Sequence, residues 1–393
     1  MPDSSTAALA ERVTRLRKIR GLTQEQLAEA SGVSVRTVRT VEQALAPVRV
    51  RTVAALARGL QVTTDRLLAR GEAEPGDPLR GDPWEDVRAA LYRPAAGDPG
   101  TSEADVLAAL SLVRPDLAAN RYDRARTVLP ALIRDARSLN GAGRTAQSRV
   151  LNASAWLLTQ SRQWEDAEAA GMRALDAAQD PVDKIAAANT LCWCLLRQGR
   201  LGEALDLAVK WADETEPRRI SRASTDELAG WGKLWLYVTN SKIRNNEPGA
   251  AEDALRNAAA AAARIGREVE TDSSTTRTFG TVTVPMIAAE NAAIAGKPDL
   301  VLKIADEEVP RGGALVHAMS ASVLRHGLDV AAAHAQKRQW AEAVDDLDAL
   351  RRRAPQWLAV QRTARDLAEE IMARRRTLTP QMREVAAAVR LDL

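Results

Sequence analysis

Six times between residues 101 and 393 a loop tip runs into a new helix whose fourth residue is small or compact. Those fourth residues are Ala125, Ala167, Ala204, Ala251, Val301 and Ala343, following the tips Tyr122, Trp164, Leu201, Pro248, Pro298 and Trp340. They lie 42, 37, 47, 50 and 42 residues apart, which is about one helix pair per unit. Twelve residues before five of these anchors stands a second compact side chain, at Ala155, Cys192, Thr239, Ala289 and Ala331. Two antiparallel helices that cross there can approach closely. A chain with 1 Phe and 3 Tyr, rich in Ala, Leu and Arg, favours helices packed through small side chains. The spacing predicts an all-α body of stacked helix pairs, with a generic helical bundle as the alternative because the period wanders.

The pairing resembles the packing signature of tetratricopeptide repeats, best matched at Ala331, Ala343 and Pro355. The resemblance implies a right-handed helical solenoid over residues 101–393 in which the first helix of each pair lines a concave groove. Groove-facing positions fall 18, 15, 11, 8 and 7 residues before the anchor. From Ala167 this selects Arg149, Asn152, Trp156, Thr159 and Gln160. From Ala204 it selects Asn189, Trp193, Leu196 and Arg197, from Ala251 Lys233, Leu236, Asn240 and Arg244, and from Ala343 Arg325 and Gln336. An asparagine ladder can bind an extended peptide backbone, the tryptophans can cover an apolar side chain, and Arg197, Lys233 or Arg244 can hold a carboxylate. The alternative makes Trp156 and Trp193 inter-repeat core and the asparagines local caps.

The amino end has a different grammar. Thr23 to Glu42 reads as two short helices joined by a turn at Ser31-Gly32, with Thr23 and Ser34 as N-caps. Leu27, Ala28, Val33, Val38 and Val41 fall at core spacing, which leaves Val35, Arg36, Arg39 and Thr40 outward. Such a face suits a DNA groove. Arg36 and Arg39 can each fork onto guanine or phosphate, Val35 can touch a thymine methyl, and Gln24, Ser34 or Thr37 can bind backbone oxygens. The plain alternative is a solvated helical hairpin.

Flanking helices at residues 9–20, 52–60 and 64–68 complete a five-helix domain over residues 1–70. That segment resembles the phage-repressor-like XRE family at Gln24, Leu27-Ala28, Gly32-Val33-Ser34, Val38, Val41 and Glu42, and departs from it at Gln43-Ala44-Leu45-Ala46. The resemblance implies dimeric DNA binding through the second helix. Residues 1–70 hold twelve Lys and Arg against six Asp and Glu, so the head carries +6 and the rest −3 of the chain's +3. A basic head attracts phosphate.

Residues 71–83, with three Pro and three Gly, read as a linker, which continues to residue 100 around a short helix at 84–92. Gly266 to Pro285, the longest polar interruption of the body, reads as a mobile flap or a solvated loop. Cys192 and Cys194 are too few for a disulfide framework, and the chain shows neither a secretion signal nor a membrane-length apolar run. Both absences lead to the expectation of a cytoplasmic protein. No phosphate-binding loop, hydrolase elbow or metal cluster stands out, so neither an enzyme, a metal nor a cofactor is expected. His326 and His334 read as packing residues.

Head and body together resemble a class of actinobacterial regulators, with Phe279-Gly280 and Arg325-His326-Gly327-Leu328-Asp329-Val330-Ala331 as later matches. They are broadly similar to the peptide-sensing regulators of Gram-positive bacteria. The expectation is a homodimeric transcription regulator on an inverted-repeat operator, its affinity set allosterically by a signalling peptide or small molecule in the groove. The alternatives are a protein-docking scaffold without a small ligand and a silent enzyme-like domain that binds a metabolite.

Overall fold

The computed structural model describes residues 9–10, 13–14, 16–17, 22–45, 48, 50–60, 84–93, 100–271, 275, 277–310, 320–375 and 377–391. The expected helix at 64–68 and the linker segment 71–83 lie outside the described residues.

In the head, residues 9, 10, 13, 14, 16 and 17 are helical, followed by α1 (Gln24–Ser31), α2 (Val35–Glu42) and α3 (Val50–Gly59). The caps that the sequence predicts start both central helices. Thr23 accepts from the Gln26 amide in a capping box, Ser34 accepts from the Thr37 amide, and Gly32 ends α1 at φ 66°. Leu9, Val13, Leu16, Leu27, Val38 and Leu56 close the core. Each helix is too short to persist alone, so burial of this shared core holds them.

Helix α4 (Glu85–Tyr92) is not a free bridge. Its Trp84, Val87 and Leu91 belong to the body's core, and Tyr92 and Arg88 donate to Asp166 at 2.8 and 3.0 Å.

Six helix pairs follow: α5 (Glu103–Ala118) with α6 (Tyr122–Ser138), α7 (Arg144–Gln160) with α8 (Trp164–Ala177), and α9 (Pro181–Arg197) with α10 (Leu201–Glu214). Then come α11 (Thr225–Arg244) with α12 (Pro248–Ile265), α13 (Thr283–Ile294) with α14 (Pro298–Glu307), and α15 (Ala321–Gln336) with α16 (Trp340–Arg353). The first helices pack in series, each on the next, and the second helices back them. All six anchor residues are at most 1 % exposed, and Ala155, Cys192, Thr239, Ala289 and Ala331 opposite them are fully buried. The small side chains therefore stand where the helices cross, as the spacing predicts. Three short helices, α17 (Pro355–Ala359), α18 (Arg362–Met372) and α19 (Pro380–Ala388), cap the far end.

The turn within each pair is the same. Five residues before every anchor the chain turns left-handed, at Asn120, Arg162, Gly199, Asn246, Gly296 and Arg338. The next amide then bonds back to a carbonyl of the preceding helix, as Gln339 does to His334 at 2.9 Å. This is a Schellman closure.

Residues 266–285 correct the expected flap or solvated loop. Two short strands, β1 (Val269–Glu270) and β2 (Thr278–Phe279), pair antiparallel, and Thr271, Thr275, Arg277 and Phe279 are buried. Phe279 seats on α11 at Gly232, where any Cβ would collide with its ring. Residues 272–274 and 276 lie outside the described residues.

Candidate functional site

The outward face of α2 is built as an ordered polar chain. Arg17 forks onto Glu42 at 2.6 and 3.0 Å and also donates to the Leu22 carbonyl. Gln24 donates to the same carboxylate at 2.7 Å, and Arg39 donates to Gln24 at 3.2 Å and to Glu25 at 3.0 Å. Glu42 thus ties the basic first helix to both members of the helix pair. The Glu42 carboxylate holds the Arg17 guanidinium above its ordinary pKa. Arg36 is exposed and pairs with no described residue. The hydroxyls of Ser34 and Thr37 stand 2.8 Å apart at the start of α2, and Thr40 is half-buried. Val35 departs from the outward placement: it is half-buried and packs on the head core. A valine in the first turn of so short a helix gains more from that core than from water.

In the body, α7, α9, α11, α13, α15 and the hairpin line a partly open cavity of about 180 Å³. Trp156, Trp193, Arg197, Lys233, Asn240 and Arg244, all groove-facing by the repeat register, line it. Six other residues selected from the sequence do not: Thr159, Gln160 and Gln336, and the three that follow. Arg149 is held aside by Asp183 at 2.9 Å. Asn152 is buried against Thr190, and Asn189 donates to the Gly230 carbonyl at 3.1 Å. Asn152 and Asn189 therefore tie neighbouring first helices together and are closed to a peptide backbone, whereas Asn240 stays in the wall. Trp156 and Trp193 are at once core and wall, only 2 % and 8 % exposed.

The recurrent wall is eleven residues before the anchor: Trp156, Trp193, Asn240 and Glu290. Glu290 and Met286 escape a reading that stops at four anchors, although the same offsets applied to Val301 select both. Arg277 has no periodic signal, since it arrives on the hairpin.

Five basic side chains meet two acidic ones around this space: Arg197, Lys233, Arg244, Arg277 and Arg325 against Glu290 and Asp329. Glu290 is taken by Arg244. Although burial disfavours its charge, Arg244 and Arg325 hold it below the ordinary carboxylate range. Burial, reinforced by Glu290, drives Asp329 well above that range. Burial, then Arg277, lowers the Lys233 ammonium to about 8 while it donates to the Thr278 carbonyl at 3.0 Å. Arg277 is 6 % exposed and lies 5.9 Å from the Trp193 ring centre; one guanidinium nitrogen donates to Thr190, and Nε and Nη1 have no partner. Arg197 Nε is likewise buried without one. His326 is lowered to about 4 by burial, hence neutral. Among the described residues no cluster of His, Cys, Asp and Glu fits a metal ion, and no helix is long and apolar enough to cross a membrane.

Comparison with known proteins bears on the head. A sequence search among curated proteins finds no match. Among solved structures, Bacillus thuringiensis PlcR in complex with the peptide PapR7 and DNA is 11 % identical, aligned over 88 % of this chain and 99 % of that one, with a TM-score of 0.35. The apo form of the competence regulator ComR from Streptococcus vestibularis is 13 % identical over 86 % and 99 %, with a TM-score of 0.29. Residues 8–70 match the family model described as a helix-turn-helix domain, and behind it stands an all-α body of helix pairs.

Proposed function

We propose that this protein is a transcription regulator whose operator affinity is set by what occupies the body cavity. The observation that carries the reading is the double role of α13. Met286, Ile287 and Glu290 on this helix line the cavity, and the same helix packs against α3 of the head. A second link joins the two parts, Arg51 of α3 to Glu370 of α18 at 3.7 Å. An occupant that shifts α13 therefore shifts the seat of the reading head.

The DNA contacts follow from the geometry. Arg36, unpaired and exposed, reads a base edge; Arg39 leaves its exposed, solvent-screened pair with Glu25 to reach phosphate or guanine. Ser34, Thr37 and Thr40 hold backbone oxygens, and Gln24 orients Arg39. Two heads of a homodimer meet inverted half-sites spaced roughly 34 Å apart, so a small rotation of each head changes affinity.

The test uses a duplex selected by the wild-type protein from random sequences. Arg36→Ala is expected to weaken binding about 10- to 100-fold with unchanged melting. Glu370→Arg is expected to alter affinity, and Arg51→Glu in that background to restore it. Unchanged affinity in all three variants refutes the reading.

A further inference from the structure

We propose that the body cavity is a receptor for a small organic anion, a carboxylate on a ring-sized apolar body, and not for an extended peptide. The proposal rests on the regulatory reading above for its consequence, and on the cavity alone for its chemistry.

Size comes first. Ligand pockets for drug-sized molecules span about 300–1,000 Å³, and a cavity of about 150 Å³ lined by apolar side chains holds benzene. At about 180 Å³ this space admits one compact molecule. Two of the three asparagines that would have carried a peptide backbone, Asn152 and Asn189, are buried between helices, and only Asn240 reaches the space.

Charge comes second. A buried charged nitrogen without a hydrogen-bond partner is among the most expensive groups a fold can hold. Arg277 keeps two guanidinium nitrogens without a hydrogen-bond partner and Arg197 keeps one, while the half-buried Arg325 makes no hydrogen bond or ion pair with a described residue. Glu290, already held by Arg244, is one ionised carboxylate against five basic side chains, and burial disfavours the charged form of Asp329. Burial and the neighbouring Arg325, Arg162 and Arg244 act together against the charge on Arg197. A planar anion facing this cluster accepts forked bonds from Arg277. The rest of the wall is largely apolar, with Trp156, Leu196, Leu236, Met286 and Ile287 beside the polar Tyr237, Asn240, Ser322 and His326. That combination selects an acid with a hydrophobic body over both a bare ion and a neutral ring.

The test is calorimetric titration of the full chain at fixed ionic strength with benzoate and phenylacetate, against benzamide and phenylacetamide. The acids are expected to bind at least about tenfold more tightly than the amides, one charge-assisted bond being worth that much. Arg277→Met and Arg325→Met are each expected to weaken the acids by a similar factor, and Arg277→Met to raise the melting temperature of the ligand-free protein. Equal binding of acid and amide, binding of neither, or an Arg277→Met variant that melts lower and binds acids unchanged, overturns the proposal. If the acids fail while the Glu370→Arg and Arg51→Glu pair still governs DNA affinity, the regulatory reading stands without this ligand. If they bind and DNA affinity is indifferent to them, the anion site stands and its coupling to the head falls.

Discussion

The head and the body cavity handle buried arginine in opposite ways. Arg17, 13 % exposed, is forked onto Glu42, itself 6 % exposed, and onto a backbone carbonyl, so its charge is matched within the fold. Arg277 is buried more deeply, over the Trp193 ring and beside Tyr237, yet two of its nitrogens lack a hydrogen-bond partner. A matched buried pair fixes a shape, because losing either partner strands the other. An unmatched buried cation leaves a debt that an outside anion can settle. The head is thus complete before it meets DNA, whereas the cavity is finished only by its occupant.

The largest expected effect tests whether the hairpin builds the cavity. Gly232→Ala drives a methyl into Phe279 and should destabilise the body by about 1–3 kcal/mol, with faster hydrogen exchange at residues 269–279. An unchanged melting curve would mean that the hairpin floats and that Arg277 is not held by it.

A pH series sharpens the contrast through Lys233. Its folded pKa of about 8 lies below the ordinary 10.5, so between those values the unfolded chain binds more protons and stability rises with pH. Below about pH 8 the buried ammonium is charged and its cost is fully present. Wild type should therefore gain about 1–3 kcal/mol on Lys233→Met between pH 7.5 and 10. A difference that stays flat with pH, read by chemical denaturation, would place Lys233 in water.

The smallest effect concerns the repeat turn. Arg338 is exposed at φ 63°, a conformation that costs a non-glycine residue roughly 1 kcal/mol. Arg338→Gly should raise stability by up to about 1 kcal/mol, read as a small upward shift of the body's melting. A fall would show that its long side chain matters more than its backbone.

How much of this was legible depends on how far apart the interacting residues lie. Ala167, Ala204 and Ala343 announce themselves because helix crossing needs a small residue at a fixed phase. The caps Thr23 and Ser34 act on amides three residues away. Periodicity also places Trp156, Trp193 and Lys233 on one wall, and extends to Met286 and Glu290 once Val301 is counted as an anchor. It cannot say that Asn152 and Asn189 turn sideways, because that depends on what the next helix offers at Thr190 and Gly230. Arg277 was beyond reach for the same reason: its partner Thr190 lies 87 residues away, and the hairpin that carries it interrupts the repeat. Polar composition suggested a solvated loop there, whereas Phe279 and Gly232 make a buried seat.

The central claim is that the fold matches the head arginine and leaves the cavity arginine unmatched. Thermal unfolding of ligand-free wild type, Arg17→Met and Arg277→Met, with hydrogen exchange to separate head from body, tests it directly. Arg17→Met should destabilise the head by about 1–3 kcal/mol, because Glu42 loses the guanidinium fork and keeps Gln24 as a neutral donor, while Arg277→Met leaves the body as stable or more stable. Equal losses in both variants would show that Arg277 is satisfied within the fold and that the cavity awaits no anion.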